Sequence, residues 1–292
     1  MLKAYFDLTK IGIVIFVILS GVAGYVTSFS VESVFDGFHL GLVLAGLYFL
    51  SSGSLALNQY QEIQLDSKMK RTSSRPIAAG KLNPIFALII SINFIFLGLL
   101  FLAFISLESF ILGVLTIILY NGIYTYYWKP KWVYGAIPGA IPGALPVTIA
   151  YAANDSNIFK GDSVYLFLIL FLWQIPHFWV LALKYKDDYA QGGVPVLPSM
   201  VPIEKTFQQI IIYTILYIAV AIASPWFVHT SFFYLIFVLP FVFFIIKSLI
   251  TYVKSSAQQW MSFFMWLNFS MLTFLFVPIF DRWKLILSAF EK

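Results

Sequence analysis

Nine stretches of this chain are long and apolar enough to cross a lipid bilayer, which takes about 20 consecutive helical residues. They run approximately over 10–28, 38–57, 84–105, 108–127, 133–153, 163–183, 207–228, 232–253 and 260–280. Hydrocarbon offers a peptide group no hydrogen-bond partner, so such stretches must close their backbone bonds internally as α-helices. The expected fold is an all-α polytopic membrane protein, with about nine transmembrane helices in a single domain over residues 1–292. Only 11% of residues are charged, against roughly 25% in soluble domains. No linker marks off a second unit.

The absence of cysteine excludes disulfides, thiolate metal centres and cysteine nucleophiles. Three histidines, His39, His177 and His229, are too scattered for a His-rich metal site. The net charge of +5 follows topology and gives no reason to expect nucleic acid. With the N-terminus on the cytoplasmic side, fourteen of the eighteen Lys and Arg residues fall on the inner side; Lys160, Arg282, Lys284 and Lys292 fall on the outer. That asymmetry is the positive-inside pattern. Lys3 and Lys10 precede the first apolar run, which reads as a first membrane helix rather than a removed signal, and a bacterial inner membrane is expected. Both long polar segments, 58–83 and 184–206, then share the cytoplasmic side and can face each other over one central cavity opening there.

The first of these segments carries most of the chain's chemistry. Asn58, Glu62 and Asp66 recur every four residues. Each step of four drifts only about 40° around a helix, so the three oxygen-bearing side chains share one face. Lys68, Lys70, Arg71 and Arg75 follow at once. Amide and carboxylate oxygens suit a hard cation such as Mg2+, which shares its shell with phosphates, and the basic cluster suits the phosphates themselves. A solvated helix end is the plainer account. Charged groups at the mouth of a membrane span are costly, however, and favour a Mg2+–diphosphate site.

The segment NQYQEIQLDSKMKRTSSRP (58–76) resembles the first aspartate-rich motif of the UbiA-type intramembrane prenyltransferases, N-x-x-x-D-x-x-x-D, with Glu62 in the middle place. A second segment, WQIPHFWVLALKYKDDYAQGGVPVLP (173–198), is similar to the haem-farnesylating branch of that family, which carries W-Q-x-P-H-F, K-D-D-Y and G-x-P-x-L-P. Its Pro176 interrupts or kinks the sixth span, and Gly192, Gly193 and Pro195 enforce a turn under a short lid of Val194, Val196 and Leu197. Other branches have a second D-x-x-x-D there, at about the places of His177 and Lys184. The opening YFDLTKIGIVIF resembles the family's L-T-K-P start with Ile11 for proline, and Tyr124-Thr125 with Lys129 and GAIPGALPVTIAYAA (139–153) resemble two further family segments.

The resemblance implies farnesyl transfer from farnesyl diphosphate to a vinyl group of haem B, assisted by Mg2+. It implies Asn58, Glu62 and Asp66 as metal ligands, and Lys184, Asp187 and Asp188 as further catalytic residues. Lys10, Arg71, Arg75, Lys129 and Lys184 are expected on the diphosphate, and His177 and Lys131 on the haem. Among aromatics near the mouth, Trp179, Tyr185, Tyr124 and Tyr127 are the first candidates to stabilise an allylic cation. A haem A synthase or an oxidase assembly factor is an expected partner beyond substrates and bilayer. Another aromatic or quinone-precursor acceptor is the alternative within the class, and a secondary transporter with broken helices the alternative outside it.

Overall fold

A computed structural model describes residues 2–30, 34–228 and 233–281, with only the backbone described for Leu2, Lys3, Phe233 and Asp281. The expectations on His229, Arg282, Lys284 and Lys292 lie outside the described residues. All regular structure in the described residues is helical. In chain order the first half holds α1 (Leu2–Thr9), α2 (Ile11–Ser28), α3 (Gly37–Gln61), α4 (Ile63–Asp66), α5 (Pro84–Ile105) and α6 (Leu107–Ile117). α6 runs on without a break into a π-helix, Ile118–Trp128, and then α7 (Lys129–Lys131). The rest comprises α8 (Ala136–Tyr151), α9 (Gly161–Lys184), α10 (Lys186–Gly192), α11 (Leu197–Met200), α12 (Ile203–Ile222), α13 (Ser224–Phe227), α14 (Phe233–Lys254) and α15 (Trp260–Asp281).

Eight helices, counting Leu107–Lys131 as one rod, are long and apolar enough to cross a membrane. The ninth expected span is α8, at 16 residues the short one. Its rise of about 24 Å falls short of a hydrocarbon core of roughly 30 Å. The helix escapes that mismatch by being wrapped in protein, with Ala144, Val147, Ile149 and Ala150 all fully buried. Pro142 and Pro146 lie within it, and each removes one backbone donor. Neighbours supply polar partners to carbonyls at its C-terminal end: Ser109 Oγ donates to the Ile149 carbonyl at 2.8 Å, and Ser106 Oγ to that of Ala152, just past the helix, at 3.0 Å.

Two apolar cores flank α8. One gathers α9 with α12, α14 and α15 around Tyr165, Trp179, Tyr217 and Phe263; the other gathers α2, α3, α5 and α6 around Val43, Leu47, Leu50 and Leu102. α5 turns Phe96 and Phe104 outward, as a lipid-facing helix does. Close helix contact needs small residues, since dispersion falls off steeply with any gap. A Cβ built on Gly24 of α2 would lie 2.1 Å from the backbone oxygen of Val147 in α8.

The backbone oxygen at that contact cannot swing aside, so Gly24→Ala is expected to destabilise the protein by about 1–3 kcal/mol through overpacking. The thermal midpoint in detergent should fall. An unchanged midpoint would mean that α2 and α8 are not held by this approach.

Candidate active site

α3 ends at Gln61, and Glu62 leaves helical geometry with φ −103° and ψ 17° before the single turn of α4. The acidic motif therefore lies on two helical pieces with a bend at Glu62, and not on one uninterrupted face as the spacing suggests. The four-residue rhythm survives the bend in the backbone bonds: Glu62 N–H donates to the Asn58 carbonyl at 3.0 Å, and Asp66 N–H to that of Glu62 at 2.8 Å. Asn58, Glu62 and Asp66 are 3%, 5% and 1% exposed, which rules out a solvated helix end.

Each of the three meets a cation from a different part of the chain. Lys10 Nζ donates to Asn58 Oδ1 at 3.4 Å, Lys129 Nζ to Glu62 Oε1 at 2.5 Å, and Arg75 Nη1 to both Asp66 oxygens at 2.6 and 2.7 Å. Lys10 sits at the break between α1 and α2 with φ 51° and ψ 54°. That left-handed conformation is uncommon outside glycine and gathers at functional sites. Burial lowers its ammonium to about 7, and the charge of Arg75 pushes the same way. For Glu62, burial alone would raise the carboxyl. The charge and hydrogen bond of Lys129, with the charge of Lys10, outweigh it and hold Glu62 below its ordinary value.

The π-helix delivers Lys129 and lines the same wall. Asn58 Nδ2 donates to Thr125 Oγ1 at 3.3 Å, and Thr125 Oγ1 to the Tyr120 carbonyl five residues back at 2.8 Å. Asn121 Nδ2 donates to the Ser54 carbonyl at 2.9 Å and to Gln61 Oε1 at 3.2 Å, while Ser54 Oγ donates to Asn121 Oδ1 at 2.6 Å. π-helical turns are rare and concentrate at functional sites. No residue type in Ile118–Trp128 announces one, and Asn121 is absent from the sequence-derived candidates.

The two polar segments do meet. Asp188 accepts the backbone N–H groups of Lys70 at 3.1 Å and Arg71 at 2.9 Å. The Arg71 guanidinium lies 5.3 and 5.7 Å from the ring centres of Tyr185 and Tyr189. Met69, Tyr189, Val194 and Val196 form a small apolar cluster beneath, and Gly193 makes the turn with φ 70°. Asp188 thus ties the segments together, whereas Asp187 is exposed. Lys184 is exposed as well, its ammonium 5.4 Å from the ring centre of Trp260 in a separate recess of about 210 Å3. Lys131 stacks over Tyr127 at 4.9 Å. Neither lysine joins the acidic motif.

Below the motif lies a cavity of about 470 Å3, lined mainly by apolar residues of α2, α3, α8, α9 and α15. Its aromatic walls are Phe16, Tyr120 and Trp173, not the Trp179, Tyr185, Tyr124 and Tyr127 suspected from sequence; Trp179 is wholly buried against Tyr213. His177 lines it, its ring between Trp173 and Phe264 with both centres 4.7 Å away. Gln174 and Asn268, isolated amides within apolar helices, line it too. Gln174 occupies the space that a side chain on Gly143 would fill.

Breaking one buried pair isolates the other charge. Arg75→Ala is expected to destabilise the protein by about 2–4 kcal/mol, somewhat below the cost for a wholly buried pair because Arg75 is 21% exposed. Adding Asp66→Ala should recover part of the loss. A thermal double-mutant cycle with zero coupling would show that the pair is not held as described.

The UbiA prenyltransferase family matches the chain over residues 14–270. A protoheme IX farnesyltransferase of Bdellovibrio bacteriovorus is 50% identical over 287 residues, 98% of each chain, and one of Leptospira biflexa is 35% identical over 66% of this chain and 72% of its own. Among solved structures, a digeranylgeranylglyceryl phosphate synthase superposes with a TM-score of 0.76 at 20% identity, covering 100% and 99% of the two chains. A UbiA homologue from Archaeoglobus fulgidus bound to GPP and Mg2+ gives a TM-score of 0.58 at 16% identity, covering 91% and 99%. The family match, the near full-length relative and the shared fold agree: this chain belongs to the UbiA prenyltransferase family.

Proposed function

We propose that this membrane enzyme transfers a farnesyl group from farnesyl diphosphate to a vinyl group of haem B, with addition of water, giving haem O. The acceptor is supported by the half-identical relative that carries that activity in its name. The observation that carries the chemistry is the pairing of three oxygen donors with three cations at the mouth of an apolar cavity.

The donor set fits a hard divalent cation. Among the described residues no three His, Cys, Asp or Glu side chains form a closed metal cage. Two carboxylates and one amide match an ion that takes the rest of its shell from phosphate and water, as Mg2+ does. Asn58, Glu62 and Asp66 would hold it, and when bound it would neutralise part of the diphosphate charge. Lys10, Lys129 and Arg75, already turned into the site, would bind the phosphate oxygens. Arg71, at the rim on its tyrosine pair, is placed to guide the anion in. As the allylic C–O bond breaks, negative charge grows on the leaving diphosphate. Fixed cations then stabilise the transition state more than the bound substrate. The cavity below would seat the prenyl chain against apolar walls and keep bulk water from the cation, with the faces of Tyr120 and Trp173 in reach of positive charge. On this reading the active site opens at the cytoplasmic face, where the basic residues collect.

Product mass is the first test. Protein incubated with haem B, farnesyl diphosphate and Mg2+ should yield a haem heavier by one farnesyl and one hydroxyl group, and a chelator should abolish it. Asn58→Ala and Asp66→Ala should each lower turnover at least about 10²-fold while still inserting into membranes. Wild-type turnover by the folded variants would remove the motif from the chemistry. Lys129→Ala should weaken farnesyl diphosphate binding at least about tenfold, the loss expected for one charge-assisted hydrogen bond, whereas Lys184→Ala should leave it unchanged. The reverse ranking would return the diphosphate to the α9 side.

A further inference from the structure

One side chain lining the cavity carries a basic nitrogen. Of the lining residues only Tyr120 and His177 bear acid–base groups, and a phenol gives up a proton rather than accepting one. His177 lies seven residues from Lys184 at the inner end of α9, about 10 Å down at 1.5 Å per residue. Ser54, seven residues before the inner end of α3, borders the same cavity at a matching depth. Both residues thus lie about two helical turns in from the inner ends of their helices, and Ser54 is about one turn from Asn58 along α3.

Its surroundings suit a water molecule. His177 Nδ1 and Trp173 Nε1 are both buried and take no hydrogen-bond partner in the protein. One helical turn separates them, and their ring centres are 4.7 Å apart. Such orphaned polar atoms are rare in folded proteins, and a water with two to four polar neighbours is the usual occupant of such a place. Gln174 and Asn268 also line the cavity, and the His177 ring hydrogen-bonds the Asn268 side chain. With that bond made elsewhere on the ring, the unpartnered Nδ1 is the atom left to meet a water.

We infer that His177 holds the water that ends the reaction and accepts its proton. This inference rests on the farnesyl transfer proposed above. The terminal vinyl carbon bonds to C1 of the farnesyl group while the C1–O bond breaks, its electron pair leaving with the diphosphate. Positive charge is left on the vinyl carbon next to the porphyrin ring. The water oxygen bonds to that carbon, and its proton passes to the His177 imidazole, which later releases it to diphosphate or solvent. No oxidant or reductant is needed. Without this acceptor the same cation discards a proton from carbon and becomes a diene, lighter than the hydrated product by one water.

The test is the ratio of the two products, read by mass from the full-length protein with haem B, farnesyl diphosphate and Mg2+. His177→Phe keeps a ring between Trp173 and Phe264 but cannot accept the proton, and His177→Gln keeps a polar group there. Both should lower the hydrated-to-dehydrated ratio by about 10²-fold, the lower end of a general-base contribution, with imidazole in the buffer partly restoring it for His177→Ala. A variant that turns over slowly but retains the wild-type ratio overturns the inference. So does a folded His177→Phe protein that makes neither product, which would place the ring in acceptor binding instead. Failure of the wild-type protein to farnesylate haem at all is a separate result and removes the acceptor assignment.

Discussion

The structure depends on the three polar contacts that pair Lys10 with Asn58, Lys129 with Glu62 and Arg75 with Asp66. Burying a charge in a low-dielectric interior costs several kcal/mol, and a partner offsets this only in good geometry. Glu62 and Asp66 are almost wholly enclosed, so neither tolerates the loss of its neighbour. The cations come from the α1–α2 junction, the loop after α4 and the end of the π-helix. Four chain segments are therefore fixed on one another by charge as much as by packing. Elsewhere the helices are joined mainly through apolar contact and small residues, with single hydrogen bonds such as that of Ser109 to the Ile149 carbonyl between them.

This explains why the cytoplasmic face is elaborate. The loop carrying Arg75 is held at its other end by Asp188, which accepts the N–H groups of Lys70 and Arg71. Met69 anchors it in the cluster with Tyr189, Val194 and Val196. A residue implied for catalysis by family resemblance thus acts here on the backbone of the loop that carries a cation of the site. The exposed Asp187 next to it does neither.

The membrane fold was legible, because apolar runs of span length admit only helices in lipid: Pro84–Ile105 and Trp260–Asp281 match their runs closely, whereas the run expected at 207–228 is α12 at Ile203–Ile222 and the one expected at 133–153 is the short α8. The acidic motif was equally legible, since a repeat of four places side chains together whether or not the helix bends at Glu62. Which cation reaches which acid was not, because a lysine reads the same in sequence whether it faces a cavity or, like Lys184, an indole ring. Gln174 and Asn268 escaped notice for a related reason. A single amide in an apolar run carries no spacing signal, and only the packing of α8 and α15 against α9 brings the two to one wall.

The π-helix has a consequence for how this chain tolerates change in length. Its looser winding accommodates residues that an α-helix of equal rise would not, and it ends directly at Lys129. Deleting one residue between Ile118 and Trp128, with the winding otherwise kept, would remove one step of rotation. Every side chain beyond the deletion would then turn by about 100° around the axis relative to those before it. Lys129 would move off Glu62, while hydropathy and span length stayed nearly the same. In this region the count of residues, rather than their identity, decides whether the site is assembled.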